Sequence, residues 1–282
     1  MVTRRAAASL LAVLACGALH PSALAHTVAV PAQGATIPML DFGGRPVVEV
    51  TINGKGPFRL IVDTGAAATV LDSALAAELS LRDTDVQLDE LRIGPIALEG
   101  LRAFVAPLSG LLRGEAAPRG VLSASVFPRH LLTFDFQRRR FLVRAGALPE
   151  AQGRTVFSYA GADLPSIPVR VAGREITVHL DTGAPYGLAL PTRYMKELPL
   201  SGEPVQRGTA RTHAGSSAIY TATLSGDIAV GEFALATREL RFTDVVPDPH
   251  AVPKGQLGSG ALRDFVVTLD ASNERVRMER AP

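Results

Sequence analysis

The sequence predicts an all-β protein built from two homologous lobes, and three observations support this fold class. Short runs rich in Val, Ile, Leu, Phe and Thr are separated by Gly and Pro, which is the pattern of strands joined by tight turns. Helical periodicity is scarce beyond the N-terminal segment. The same series of strands and turns occurs twice along the chain, which indicates an internal duplication.

The N-terminal segment has the layout of a secretory signal peptide. Arg4 and Arg5 precede an apolar stretch over residues 6–15, and Ala23-Leu24-Ala25 offers small residues around a cleavage point. The apolar stretch is too short to span a bilayer comfortably, and no later segment is long and apolar enough. We therefore expect a mature chain that begins near His26 and is exported, either periplasmic or secreted.

Cys16, the only cysteine, leaves a second possibility for export. Residues 13–16 loosely resemble a bacterial lipobox, in which the cysteine becomes lipidated and anchors the protein in the envelope. The alternative is an ordinary small residue within the signal segment. If cleavage follows Ala25, the mature chain has no cysteine and no disulfide.

The charge balance gives no indication of a nucleic-acid partner. Loss of Arg4 and Arg5 with the leader reduces the 29 basic residues to 27, which equals the 27 acidic residues. No basic stripe of the kind that binds phosphates is present. The one tight basic run, Arg138-Arg139-Arg140, lies between two apolar segments and is typical of a solvated hairpin turn.

Each copy begins with a hairpin that leads into an Asp, and two further strands match later in the copies. Asn-Gly between alternating apolar residues is a strong hairpin signal. The matching segments, first copy and then second, are Val48–Ile52 with Ile167–Val171, Asn53-Gly54 with Ala172-Gly173, Phe58–Val62 with Ile176–Leu180, Leu91–Gly94 with Ile228–Gly231, and Leu131–Asp135 with Val266–Asp270.

The spacing of the matches shows that the copies differ in length. The offset is 118 residues at the Asp and 137 at the middle strand, so the second copy carries about 19 extra residues, expected directly after its Asp motif. We predict a leader over 1–25 and lobes over 26–148 and 149–282, joined near residues 145–153.

One helix is predicted in each copy shortly after the Asp motif. Asp72 or Ser73 is placed to cap a helix over Ala74–Leu81, whose Ala, Leu and Glu content favours helix. The corresponding place in the second copy, Thr192–Leu198, follows Pro191 and predicts a shorter helix.

The motif Asp-Thr-Gly-Ala ends the second strand of both copies, at Asp63-Thr64-Gly65-Ala66 and Asp181-Thr182-Gly183-Ala184. A single such motif is also compatible with a β-turn whose Asp accepts backbone N–H groups. Two copies at equivalent points bring two carboxylates to one place, where both cannot easily ionise. Such a pair supplies a base and an acid together, as in the aspartic proteases.

These residues resemble the aspartic protease superfamily, and in detail its bacterial retropepsin-like branch in single-chain form. The resemblance implies that Asp63 and Asp181 are catalytic, supported by the Thr and Gly that follow each: Thr64, Gly65, Thr182 and Gly183. It implies an endopeptidase that cleaves peptide or protein substrates at acidic pH, without cofactor or metal, and that is active as a monomer. An inactive peptide-binding module and an envelope lipoprotein of the same fold are the alternatives.

A second element of the family is an apolar pair followed by Gly, beneath the catalytic loop. The second copy keeps it at Leu257-Gly258, but the first has Ser123 after Leu122, which puts the packing there in doubt.

The extra residues of the second copy are long enough for a flap hairpin, which in such proteases covers the substrate. We predict strands over Gly208–Ala210 and Tyr220–Leu224, with a tip over residues 213–217, so that substrate-binding residues are His213, Gly215, Ser216 and Tyr220. A longer surface loop, with Tyr220 as a plain edge-strand residue, is the alternative.

The histidines indicate no metal site, because their spacing is not that of metal ligands. His179 lies two residues before Asp181 on the same strand face, a position that is compatible with an acid–base role. A histidine satisfied by its strand neighbours is the interpretation we favour. No serine nucleophile elbow and no phosphate-binding glycine loop is present.

Overall fold

The computed structural model describes residues 26–108, 112–114, 116–159, 164–212, 215–244 and 254–281. The expected leader, with Cys16, lies outside these residues. The structure confirms the all-β, bilobal fold. No helix in the described ranges is long and apolar enough to cross a membrane.

The described residues of the first half of the chain form eleven strands and one short α-helix. Their bounds are β1 (Thr27–Ala29), β2 (Ala35–Pro38), β3 (Leu40–Phe42), β4 (Arg45–Ile52), β5 (Lys55–Asp63), β6 (Val70–Asp72), α1 (Ser73–Glu78), β7 (Asp85–Ile93), β8 (Ile96–Ala106), β9 (Gly120–Ser123), β10 (Leu131–Asp135) and β11 (Arg140–Arg144).

The second half repeats this series with additions. Its bounds are β12 (Val156–Ser158), β13 (Ser166–Val171), β14 (Arg174–Asp181), β15 (Leu188–Leu190), β16 (Val205–Thr212), β17 (Gly215–Thr223), β18 (Ile228–Val230), β19 (Phe233–Ala234), β20 (Glu239–Phe242), β21 (Gly255–Gly258), α2 (Ser259–Leu262), β22 (Phe265–Asp270) and β23 (Arg275–Arg280).

The strands form three sheets, one in each lobe and one shared between them. The N-terminal lobe has the order β1-β8-β6-β9-β5-β4-β3, with β7 paired to β4 and β8. The C-terminal lobe has the order β16-β17-β20-β15-β21-β14-β13-β18-β19. The shared sheet, β12-β23-β22-β10-β11-β2, takes three strands from each half.

The centre of the shared sheet lies between β10 and β22, where the two copies meet antiparallel. Thr133 lies opposite Thr268, and their hydroxyl oxygens are 3.0 Å apart. Because these threonines are equivalent in the two copies, the approximate two-fold axis of the duplication passes between them.

Both predicted entry hairpins are confirmed. The turns between β4 and β5 and between β13 and β14 use Asn53-Gly54 and Ala172-Gly173, all with positive φ. Such φ values give the hairpin turn whose twist matches that of its strands. Each hairpin delivers an Asp as the last residue of its second strand.

The structure corrects the position of the extra residues in the second copy. Val70 pairs with Val121, and Ala189 pairs with Gln256, so these two pairs are equivalent and the offset has grown only to 119 by this strand. A single extra residue therefore precedes β15. The remainder follows the helical turn after β15 and builds the hairpin β16–β17.

Both predicted helices are present but shorter than expected. α1 ends at Glu78, because Ser80 has a φ of 62° and leaves the helical conformation. Asp72 caps it, accepting a hydrogen bond from the backbone N–H of Ala74 at 3.2 Å. In the second copy Thr192–Met195 forms a single 3-10 turn after Pro191.

In the part of the chain that the structure describes, the buried apolar side chains form one large core that extends through both lobes and the shared sheet, together with two small clusters. We call the first small group the N-lobe cluster; it lies on the other face of the N-terminal sheet and contains Val47, Ile61, Ala66, Val70, Leu108, Leu112 and Val121. The second joins the hairpin β16–β17 to the C-terminal lobe, where Ala210 and Ile219 contact Tyr186. The strand-free residues 145–155 contain the predicted lobe boundary, which stays a prediction.

Candidate active site

The two Asp-Thr-Gly loops meet where the lobes face each other. Asp63 and Asp181 end β5 and β14, and each of these strands runs parallel to a partner, β9 or β21, in its own lobe. Both side chains are only 3% exposed. Rigid paired strands thus hold two carboxyl groups in a buried interface.

The threonines of the two loops connect the lobes by a reciprocal set of hydrogen bonds. The Thr64 hydroxyl donates to the carbonyl oxygen of Leu180 and accepts from the backbone N–H of Thr182, at 2.7 and 3.1 Å. The Thr182 hydroxyl does the same with Val62 and Thr64, at 2.7 and 3.1 Å. Four buried hydrogen bonds therefore fix the distance between the aspartates.

The glycines are required by close approach across the interface. A Cβ on Gly65 would lie 2.7 Å from Cγ of Asp181, and a Cβ on Gly183 would come closer still to the carboxylate of Asp63. The backbone N–H of Gly65 donates to Asp63 at 2.7 Å. Each carboxyl group thus packs against the glycine of the opposite lobe, so the two aspartates are neighbours.

Burial raises the pKa of both aspartates. Burial is the main cause at Asp63, where backbone hydrogen bonds and the positive charge of Arg45 act in the opposite direction. Burial and then the charge of Asp63 raise the pKa of Asp181 well above its ordinary range. The pair therefore retains one proton at pH values where two free aspartates are ionised.

Arg45 is a component of this site that the sequence analysis missed. It begins β4 after the Gly43-Gly44 turn and is 9% exposed, and its Nε–H donates to the carbonyl oxygen of Gly183 at 2.9 Å. Burial lowers the pKa of Arg45, whereas the charges of Asp181 and Asp63 raise it. A cation from the first lobe thus supports the Asp-Thr-Gly loop of the second.

Gln256 and Tyr186 form a second unpredicted group on the C-terminal side. The Gln256 amide donates to Oδ2 of Asp181 at 3.1 Å, and the Tyr186 hydroxyl donates to the Gln256 amide oxygen at 2.5 Å. Burial raises the pKa of Tyr186 above its ordinary value, which keeps its hydroxyl protonated as a donor. The chain of donors orients the carboxyl group of Asp181.

Ser123 fits the first copy in spite of its departure from the family pattern. It lies opposite Asp63, as Gly258 lies opposite Asp181. A Cβ on Gly258 would collide with backbone oxygens of Ala184 and Tyr186, whereas the Ser123 hydroxyl donates to the Ala66 carbonyl oxygen at 2.6 Å. The two loops differ in shape, so the glycine is needed in one lobe only.

Three of the four predicted flap residues lie in the second strand of the hairpin β16–β17. The hairpin exists, but it is longer than predicted: Thr212 pairs with Gly215, so Gly215 and Ser216 belong to β17 and not to a wide tip. Ser216 is exposed, and His213 lies outside the described residues. Tyr220 packs against the core of the C-terminal lobe. Its neighbour Ile219, which contacts Tyr186, occupies the opposite strand face.

His179 is satisfied by a strand neighbour, as we favoured. Its Nδ1 lies 2.6 Å from the hydroxyl of Ser166 across the β13–β14 pair. Burial and then the charge of Lys254 lower the pKa of His179 to about 4. The imidazole is therefore neutral over most of the pH range.

Residues 48–86 match a protein-family model described as aspartyl protease. The matched segment runs from β4 through Asp63 and α1 to the start of β7. It lies wholly in the first copy. No curated protein matches the chain.

Proposed function

We propose that the protein is an aspartic endopeptidase in which Asp63, Asp181 and one water hydrolyse a peptide bond. The observation that carries the proposal is the pair of buried carboxyl groups, each placed against the glycine of the opposite lobe. The family match of the first copy supports the same chemistry. Since one chain supplies both halves, we propose that it acts as a monomer.

The singly protonated pair provides both groups that the reaction needs. The ionised carboxylate removes a proton from the water, whose oxygen attacks the peptide carbonyl carbon, while the protonated carboxyl donates to the carbonyl oxygen. The tetrahedral intermediate collapses when a proton reaches the amide nitrogen, which leaves as an amine. No covalent bond to the protein forms.

The surrounding residues have supporting roles in this proposal. Thr64, Thr182 and the two motif glycines hold the loops, and Arg45 and Gln256 orient the carboxyl groups. The hairpin β16–β17 lies beside Tyr186 and is proposed as a single flap on the second lobe. Gly215 and Ser216 remain proposed substrate contacts, whereas the packing of Tyr220 favours a structural role.

We also propose export, on the strength of the N-terminal leader. The protein would act in the periplasm or outside the cell. The alternative is a protein anchored in the envelope through Cys16. Labelling of cells with palmitate separates the two: incorporation that is lost in Cys16→Ser identifies a lipoprotein, and its absence identifies a protein released after Ala25.

Cleavage of peptides with a bell-shaped pH dependence is the result expected of the purified protein. Below the first pKa of the pair both carboxyl groups are protonated and no base exists; above the second both are ionised and no acid exists. Because burial raises both pKa values, the acidic limb lies above the pKa of an ordinary aspartate. Mass spectrometry of a peptide library, incubated from about pH 3 to 8, measures the products. Tight peptide binding without products at any pH would identify a binding module.

Removal of the Arg45 charge should move the acidic limb of this profile to higher pH. The charge lowers the pKa of Asp63, so Arg45→Gln raises the pH at which the pair acquires its base. Arg45→Lys is the matched control, because it keeps a cation but loses the Nε–H donor to Gly183. The pH–rate profiles of the wild type, Arg45→Gln and Arg45→Lys check this. An acidic limb at the same pH in Arg45→Gln as in the wild type would contradict it.

A further inference from the structure

Arg241 occupies the face of the C-terminal sheet that adjoins the candidate active site. Its strand neighbours Leu240 and Phe242 are fully buried in the lobe core, so Arg241 lies on the other face of β20. Its guanidinium stacks over the ring of Tyr186, 4.9 Å from the ring centroid. Tyr186 in turn connects through Gln256 to Asp181.

The guanidinium of Arg241 offers one complete edge without a partner. Its Nε and Nη2 atoms are buried and have no hydrogen-bond partner in the described part of the chain. Among the ion pairs of those same residues none involves Arg241. Arg102 shows what this edge binds, since its Nε and Nη2 contact the two carboxylate oxygens of Asp85.

A buried guanidinium without a counter-charge is costly, and a carboxylate that binds both donors would offset that cost. Burial also lowers the pKa of Arg241, which is the effect of removing a cation from water without pairing it. Among the described residues, no acidic side chain supplies this counter-charge.

Comparison of the two copies shows that the buried arginine has no equivalent in the N-terminal lobe. Arg241 pairs with Ala189, and the equivalent residue in the first copy is Phe104, which pairs with Val70. Phe104 packs against the N-lobe cluster. In the same way Gln256 replaces Val121. One side of the interface is thus apolar, and the other carries a guanidinium and an amide.

We propose that Arg241 determines specificity by binding a carboxylate of the peptide substrate, so that an acidic residue is preferred at one subsite on the C-terminal-lobe side. The inference rests on the proposed function, because it names the substrate class of that site. Arg241 is a specificity residue in this proposal and takes no part in the proton transfers.

Paired peptides that differ only by Glu and Gln at the preferred position test the proposal. The library cleaved by the wild type should show enrichment of Asp and Glu at one position. Arg241→Gln should lower kcat/KM for the Glu peptide about 10- to 100-fold, which corresponds to loss of hydrogen bonds to a charged group. The Gln peptide should change little. Arg241→Glu should transfer the preference to Lys or Arg.

The matched control is Arg238→Gln, which removes the same charge from an exposed arginine three residues away. Binding of the same peptides to Asp63→Asn protein provides a readout that needs no turnover. If the wild type cleaves nothing, the proposed function fails, and this binding difference still decides the role of Arg241.

Thermal unfolding tests whether Arg241 has a partner within the chain. An unpaired buried cation predicts that Arg241→Gln unfolds at an equal or higher temperature than the wild type. Asp248, seven residues later in the sequence and outside the described residues, is the acidic residue to compare. If Arg241→Gln and Asp248→Asn destabilise the protein equally, and Glu and Gln peptides bind alike, Arg241 is paired within the chain and the proposal is overturned.

Discussion

Asp63→Asn and Asp181→Asn should each reduce peptide cleavage by about 10²- to 10⁴-fold, the range of general acid–base catalysis. Asparagine keeps the shape of the side chain and one acceptor, but it can neither take a proton from water nor deliver one. The loss should appear in kcat, because neither variant removes the cleft that binds the peptide. Steady-state kinetics on a peptide identified from the library measures it.

The control for this experiment is Asp270→Asn, which replaces another buried aspartate. Asp270 is 2% exposed and accepts a hydrogen bond from the backbone N–H of Leu148 at 2.8 Å, within the shared sheet. Its replacement should lower stability and leave kcat unchanged. Full activity in either dyad variant would contradict the proposed chemistry.

For Asp181→Asn we also expect a change in stability. The folded-state pKa of Asp181 is raised, so the native state binds more protons than the unfolded state, and stability falls as pH rises through the folded pKa. Asp181→Asn removes a carboxyl group that opposes folding at neutral pH. It should therefore unfold at a higher temperature than the wild type at pH 7, and the difference should shrink as pH falls from the raised folded-state pKa towards the ordinary aspartate pKa, below which it no longer changes.

This pairing of lost activity with gained stability separates a catalytic carboxyl from a structural one. Asp270 is expected to lose stability on conversion to Asn, because its carboxylate accepts backbone hydrogen bonds in a favourable setting. Asp181 is expected to gain it. A destabilised Asp181→Asn at pH 7 would show that the dyad is not under electrostatic stress.

The parts of the site that sequence predicted are those with local signals. The entry hairpins follow from alternating apolar residues and turn residues with positive φ, and the two motifs follow from their position at strand ends. The Thr and Gly after each Asp were predicted as support because the family resemblance covers these adjacent positions. The reciprocal hydrogen bonds of Thr64 and Thr182 are the contact that this adjacency allows.

The missed residues reach the site through tertiary packing. Arg45 approaches from the start of β4, 18 residues before Asp63, and Gln256 from β21, 75 residues after Asp181. Neither lies in a motif, and an arginine after two glycines is typical of an exposed turn. Only the register of β14 with β21 places Gln256 beside the Asp-Thr-Gly loop of the second lobe.

The position of the extra residues could not be predicted from the sequence for a related reason. Offsets measured at the Asp and at the middle strand give the total difference in length, but not the point where residues were added. The pairing of Ala189 with Gln256 supplies this point and makes Phe104 the equivalent of Arg241. The chemical asymmetry of the two lobes becomes visible only with that register.

The reciprocal threonine contacts predict the largest stability loss of any conservative substitution at the site. Thr182→Val is nearly isosteric but removes the acceptor for the N–H of Thr64 and the donor to the carbonyl oxygen of Val62. Each buried group left unsatisfied costs about 1–3 kcal/mol, so the expected loss is about 2–6 kcal/mol. That is a large part of the ~5–15 kcal/mol of a typical domain.

Denaturant unfolding of Thr182→Val, Thr182→Ser and Thr133→Val checks this expectation. Serine retains the hydroxyl and should restore most of the stability. Thr133→Val breaks the hydroxyl pair with Thr268, also between the lobes but remote from the aspartates, and leaves one buried group unsatisfied, which should cost about 1–3 kcal/mol. Since the threonines fix the spacing of the dyad, Thr182→Val should also lose activity when fully folded, by about 10²-fold for a 1 Å displacement, whereas Thr133→Val should keep it. Equal losses of stability and activity in the two valine variants would mean that the lobes are held by their shared sheet alone.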